Sequence, residues 1–385
     1  MKWETPITTS ELLMLRLVAP RWSSSLEQQL RALEPGGILL TGPLSHSPET
    51  LHELLSGISR SLPRPPILAL EAEGAGARAL SAFLPLLPSP QALAPREARF
   101  ARQSGELVGE ALKLLGFNTY LAPALDLASG FAEESLGAST GAVLISGAEP
   151  GFSPAPAALK GGATFNSGQH PSPFSADPRV VAECGGFFVE GLARHKILAC
   201  AMHFPGLGSV PPAPGEELPV CGRSMAELWR SDLFPFRQLL PKLPLVLMST
   251  AVYRAYDFDY PRSAVLSAQV VQGLLRGKLG YRGVVVAPQL ESDSVRGVLD
   301  MGRAAVQSLS AGCDMLLVDK DESWEEMRRG IEEAIASGKL TSERLEQSVG
   351  RIRAAKKGWA PPKGPFSNKV WERLARRFEE FKCST

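Results

Sequence analysis

Eight short apolar runs, each separated from the next by a longer amphipathic stretch, constrain this chain more than any other feature. The runs lie at 12–19, 37–40, 66–70, 117–122, 197–203, 243–248, 284–287 and 315–318. A mainly apolar run of this length suits a strand buried on both faces, as in a parallel sheet covered by helices. Helix-like segments at 98–115, 178–194, 224–240 and 267–279 fall between the runs. Strand–helix alternation repeated eight times predicts an α/β fold of the (β/α)8 TIM-barrel type, which needs about 250 residues plus insertions. A doubly wound open sheet is the competing architecture. Against it, no Gly-x-Gly-x-x-Gly phosphate loop follows the first run. The expected organisation is a barrel over residues 1–358. A Pro-rich linker and a basic amphipathic helix at about 369–381 follow within 359–385 and pack on the barrel or form a dimer contact.

Composition narrows the partners. Of 385 residues, 44% are hydrophobic and 21% charged, as in an ordinary soluble globular protein. The net charge is +1, so no global basic field recruits nucleic acid or anionic membrane. The five cysteines are odd in number and lack Cys-x-x-Cys or metal-type spacing, so neither a metal nor a cofactor is expected and a reducing compartment is the simpler reading. The first apolar run is broken by Arg16 and lacks a signal-peptide core. No stretch approaches the roughly 18 apolar residues of a membrane span. The expectation is a soluble cytoplasmic protein. Two further segments read as irregular. Residues 147–176 are rich in Gly, Pro, Ala and Ser, which suits a long loop or insertion. Residues 205–219 contain five prolines and cannot be helical.

The chemistry-bearing motifs sit where strands end, which is where barrels place function. After the fifth run the chain reads Met202-His203-Phe204-Pro205-Gly206-Leu207-Gly208. Elsewhere it reads Leu121-Ala122-Pro123-Ala124-Leu125-Asp126, Phe174-Ser175-Ala176-Asp177-Pro178, Asp232-Leu233-Phe234-Pro235-Phe236, and Leu279-Gly280-Tyr281-Arg282-Gly283-Val284. In this order the motifs resemble those of glycoside hydrolase family 3, in particular its single-barrel bacterial β-N-acetylglucosaminidase (β-N-acetylhexosaminidase) type. The match runs from about residue 8 to about 358. The resemblance implies a (β/α)8 barrel and retaining O-glycosyl hydrolysis through a covalent glycosyl intermediate.

At the reacting positions the sequence departs from the pattern. The family's nucleophile is the first Asp of Ser-Asp-Asp-Leu after the seventh strand, and Ala287-Pro288-Gln289-Leu290 puts Pro288 there. The family's Asp-Ser-His acid/base loop falls on Ala213, Pro214 and Gly215. The Lys of its Lys-His pair is Met202, and His203 is unchanged. Leu207 replaces a second His, Glu71 replaces a strand-three Asp, and the sugar-binding Arg maps near Ser172. Glu71, Met202, His203 and Asp126 are the candidate ligand-binding residues, although His203 also suits a buried strand-end histidine and Asp126 a rim organiser. Relocated chemistry would fall to Glu217 as acid and Glu291 as nucleophile. The expected outcome is a degenerate, catalytically inactive barrel. Such a barrel would bind an amino sugar or another small molecule at its mouth, or a protein partner. The alternative is an active hydrolase with relocated carboxylates.

Overall fold

The structure is a computed structural model that describes residues 8–18, 21–42, 47–71, 80, 83–85, 87–94, 98–128, 173–211, 218–258, 262–291, 299–362 and 364–384. All eight apolar runs become strands: β1 Leu13–Val18, β2 Gly37–Thr41, β3 Ile67–Glu71, β4 Thr119–Leu121, β5 Leu198–Phe204, β6 Leu245–Met248, β7 Val284–Ala287 and β8 Met315–Val318. They form one closed parallel barrel in sequence order, and β1 closes it against β8 with Leu13 opposite Leu316 and Leu15 opposite Val318. A two-residue parallel pair, Val220–Cys221 with Val252–Tyr253, lies outside the barrel.

The surrounding helices include α1 Ser24–Leu33, α2 Pro48–Ser61, α3 Arg99–Leu115 and α4 Pro178–Arg194. Further along come α5 Met225–Arg230, α6 Leu233–Leu239, α7 Met301–Ala311, α8 Asp321–Ala336, α9 Ser342–Ala355 and α10 Asn368–Ser384. Their starts are written in the sequence. Ser23, Ser47, Asp177, Asp300 and Thr341 each accept a first-turn backbone N–H, a cap worth about 1 kcal/mol.

The structure corrects two helix expectations. Segment 224–240 is not one helix: it breaks into α5 and α6 at Ser231-Asp232. Asp232 is fully buried there, because its carboxylate accepts Ser209 N–H at 2.8 Å together with the Ser209 and Ser231 hydroxyls. Segment 267–279 forms a wide π-helix, Gln269–Lys278, rather than an α-helix. From that helix Arg276 reaches the fully buried Asp314, which also receives Arg351 at 2.9 Å, Ser348 at 2.8 Å and the Val285 N–H at 3.0 Å.

Helix α10 lies against α3. It buries Trp371, Leu374, Phe378 and Phe381 and pairs Arg377 with Glu110. Phe366 bridges its start to α2, with ring centroids 5.5 Å from Trp371 and 5.7 Å from His52. The beginning and end of the barrel are tied together repeatedly. Thr9 bonds Glu332 at 3.2 Å, Glu11 pairs with Arg353 at 2.6 Å, and Arg16 pairs with Asp319 at 2.8 Å.

Candidate functional site

At the end of β5 the near-motif has a mechanical explanation. Met202 is 0% exposed; its N–H donates to Pro123 O at 3.1 Å and its carbonyl accepts Leu125 N–H at 2.7 Å. An apolar side chain fills this enclosed position, where the family resemblance calls for a lysine. His203 Nδ1 lies 2.9 Å from Asp126 Oδ2, while Asp126 Oδ1 accepts the backbone N–H of His203 at 3.3 Å and of Leu207 at 2.6 Å. One buried carboxylate thus fixes both the imidazole and the turn that follows it. Gly206 has φ +124°, and a Cβ there would stand 2.8 Å from that of Asp232. Tyr253 donates its hydroxyl to the Gly206 carbonyl at 2.6 Å. A Cβ on Gly208 would meet the Leu127 backbone at 2.7 Å. Close approach therefore requires both glycines, and the left-handed turn requires Gly206 as well, independently of any ligand.

Glu71 ends β3 and is 8% exposed. Burial pushes its carboxyl up to about 6, while the charges of Arg16 and His203 pull the other way. Arg16 also donates Nε–H to Thr41 Oγ1 at 3.1 Å and pairs with Asp319, which follows β8. A series of ionisable groups therefore runs across the C-terminal mouth: Asp319, Arg16, Glu71, His203, Asp126. The Arg16 and Asp319 side chains are 10% and 11% exposed. Sequence reading missed Arg16 and Asp319 as site residues. The available signal was an arginine inside a strand-forming apolar run, which needs a carboxylate partner once buried.

Beyond β7, Pro288 and Leu290 are buried. Glu291 is buried too, but its Oε1 accepts the Asp319 N–H at 2.9 Å. Burial raises its pKa, with backbone donation from Asp319 lowering it, the Asp319 charge raising it and the Ser323 hydroxyl lowering it again. Glu291 is thus held at the β8–α8 junction. Ser172, Ala213, Gly215 and Glu217 lie outside the described residues. Among the described residues, no group of three or more His, Cys, Asp and Glu side chains could hold a metal ion, and no helix is long and apolar enough to cross a membrane.

Beside the axis lies a cavity of about 520 Å³. Its lining includes the apolar Leu127 and Pro178, the hydroxyl-bearing Ser209 and Ser231, Arg223 just before α5 and Arg230 at its end.

Comparison with known proteins agrees with this architecture. The model of the glycosyl hydrolase family 3 N terminal domain matches residues 156–355. A beta-hexosaminidase of Alkalilimnicola ehrlichii is 30% identical over 80% of this chain and 80% of its own. The glycoside hydrolase family 3 beta-N-acetylglucosaminidase from Paenibacillus sp. superposes with a TM-score of 0.77 at 23% identity, covering 98% of this chain and 69% of that one. The beta-N-acetylhexosaminidase from Beutenbergia cavernae gives a TM-score of 0.73 at 22% identity, covering 90% of this chain and 96% of its own.

Proposed function

Since the chain belongs to glycosyl hydrolase family 3, its mouth can be measured against the chemistry of a retaining glycosidase, and we propose that this member binds without hydrolysing. The observation that carries the reading is Pro288, buried directly after β7 at the position the resemblance gives to the nucleophile. A covalent glycosyl intermediate needs a carboxylate beneath the anomeric carbon. Proline has no ionisable group, so no change of pH or environment restores one. Loss of a member of such a catalytic set costs on the order of 10⁴–10⁶ in rate.

Met202 supports the same reading, since a fully buried thioether cannot grip a sugar hydroxyl as a lysine would. The alternative, hydrolysis by relocated carboxylates, depends on Glu291. Its bond to the Asp319 N–H argues against that role. The function that remains is binding: an amino sugar or another small molecule at the mouth, or a protein partner. All five cysteines are free thiols and four are buried, which suits a reducing compartment, and we place the protein in the cytoplasm. The test is nitrophenol release from an aryl N-acetylglucosaminide by the purified protein. No release above the buffer rate is expected, and turnover abolished by Glu217→Ala or Glu291→Ala overturns the proposal.

A further inference from the structure

We propose that the off-axis cavity between the β4 and β5 ends is a binding site for a sugar-sized polyhydroxylated anion, whose carboxylate or phosphate is taken by Arg223 and Arg230. At about 520 Å³ the space is in the range of small-molecule sites. Its chemistry is asymmetric. Glu227, which lines the cavity beside Arg223, uses one carboxylate oxygen to accept Ser224 N–H at 2.8 Å and the Ser224 hydroxyl at 2.7 Å, closing the capping box of α5. Asp232 holds both Ser209 donors and the Ser231 hydroxyl. The two guanidinium groups, by contrast, are exposed and have no hydrogen-bond or ion-pair partner among the described residues.

Two arginines in the lining of one cavity outnumber the single exposed carboxylate there, Glu227, and guanidinium binds carboxylate or phosphate oxygens with charge-assisted, bidentate geometry. The Ser209 hydroxyl gives its proton to Asp232, and the Ser231 hydroxyl points its own at Asp232 and the Glu227 carbonyl, so both oxygens keep lone pairs to accept from a ligand's hydroxyl groups. Leu127 and Pro178 supply an apolar wall for a ring face. The floor is rigid, because Gly208 touches the Leu127 backbone and Ser209 is pinned to Asp232. Glu71, His203 and Pro288 are not among the residues that line this cavity, so the proposal stands whether or not the axis has lost hydrolysis.

The experiment is calorimetric titration of the full chain with glucuronic acid, glucose 6-phosphate and glucose, repeated on Arg223→Gln, Arg230→Gln and Glu71→Gln. Binding of at least one anion in preference to glucose is expected, and which anion binds identifies the charged group. Each arginine variant should weaken that binding by about tenfold, added salt should weaken it further, and Glu71→Gln should leave it unchanged. Equal binding of glucose, no heat from either anion at millimolar concentration, or arginine variants that bind like the parent would each overturn the proposal. Loss on Glu71→Gln alone would move the ligand to the barrel axis and overturn it equally. Far-ultraviolet circular dichroism of the variants guards against misfolding, and both arginines are exposed enough for the substitutions to be tolerated.

Discussion

The carboxyl of Glu71, raised to about 6 by burial, titrates near neutrality at the mouth of the barrel. Its pKa is higher in the folded chain than the ordinary 4.5, so the folded state holds the proton more tightly. The associated stabilisation is complete below pH 4.5 and is lost as the pH climbs through 6. The loss amounts to about 2 kcal/mol. Glu71→Gln cannot titrate, so urea unfolding across this window should show the parent losing about 2 kcal/mol relative to the variant; parallel curves for the two proteins would count against the buried, raised carboxyl. At this scale the sequence was only half legible. Glu71, Asp126 and His203 stood out because motifs carried them. Arg16 and Asp319 did not, because their pairing spans 303 positions and no local pattern encodes it. The proposed loss at Pro288 rests on residue type alone, since no environment gives proline a proton to exchange.

Among the elements, the strands were readable because burial on both faces leaves no polar residue to interrupt runs such as Val284–Ala287. The break between α5 and α6 had a local signal in Pro235, which lacks an N–H and whose ring would clash with the Ser231 carbonyl in a continuous helix. What the sequence could not show is that Ser209, on a different segment, holds the Asp232 side chain freed by that break. Asp314 likewise joins elements that the sequence keeps apart: the π-helix through Arg276, β7 through the Val285 N–H, and α9 through Ser348 and Arg351. Asp314→Ala strands buried arginine charge and should cost about 3–5 kcal/mol, measured as a lowered urea midpoint. Phe381, 1% exposed beneath α10, makes a second test. Phe381→Ala should cost about 3–5 kcal/mol through the lost burial and the cavity left behind. A thermal midpoint unchanged by this substitution would mean that α10 adds nothing to the barrel.

For the molecule as a whole, the barrel and the family were legible from end to end, while activity had to be argued from single positions at one face. A fluorinated activated glycoside that traps the covalent intermediate of retaining enzymes should leave the intact mass of this protein unchanged, and a stable adduct would show a working nucleophile that replaces Pro288. The seam between β1 and β8 carries one more consequence, for the order in which the protein is made. Arg16 waits 303 residues for Asp319, and Glu11 waits 342 for Arg353. At roughly 5–20 residues per second of synthesis, the first strand leaves the ribosome tens of seconds before the last one exists. Throughout that interval an apolar strand edge stands open, and Glu11 and Arg16 lack Arg353 and Asp319. Chains arrested before residue 315 should be captured by chaperones or aggregate, and release of the full chain should end that exposure in a single late closing step.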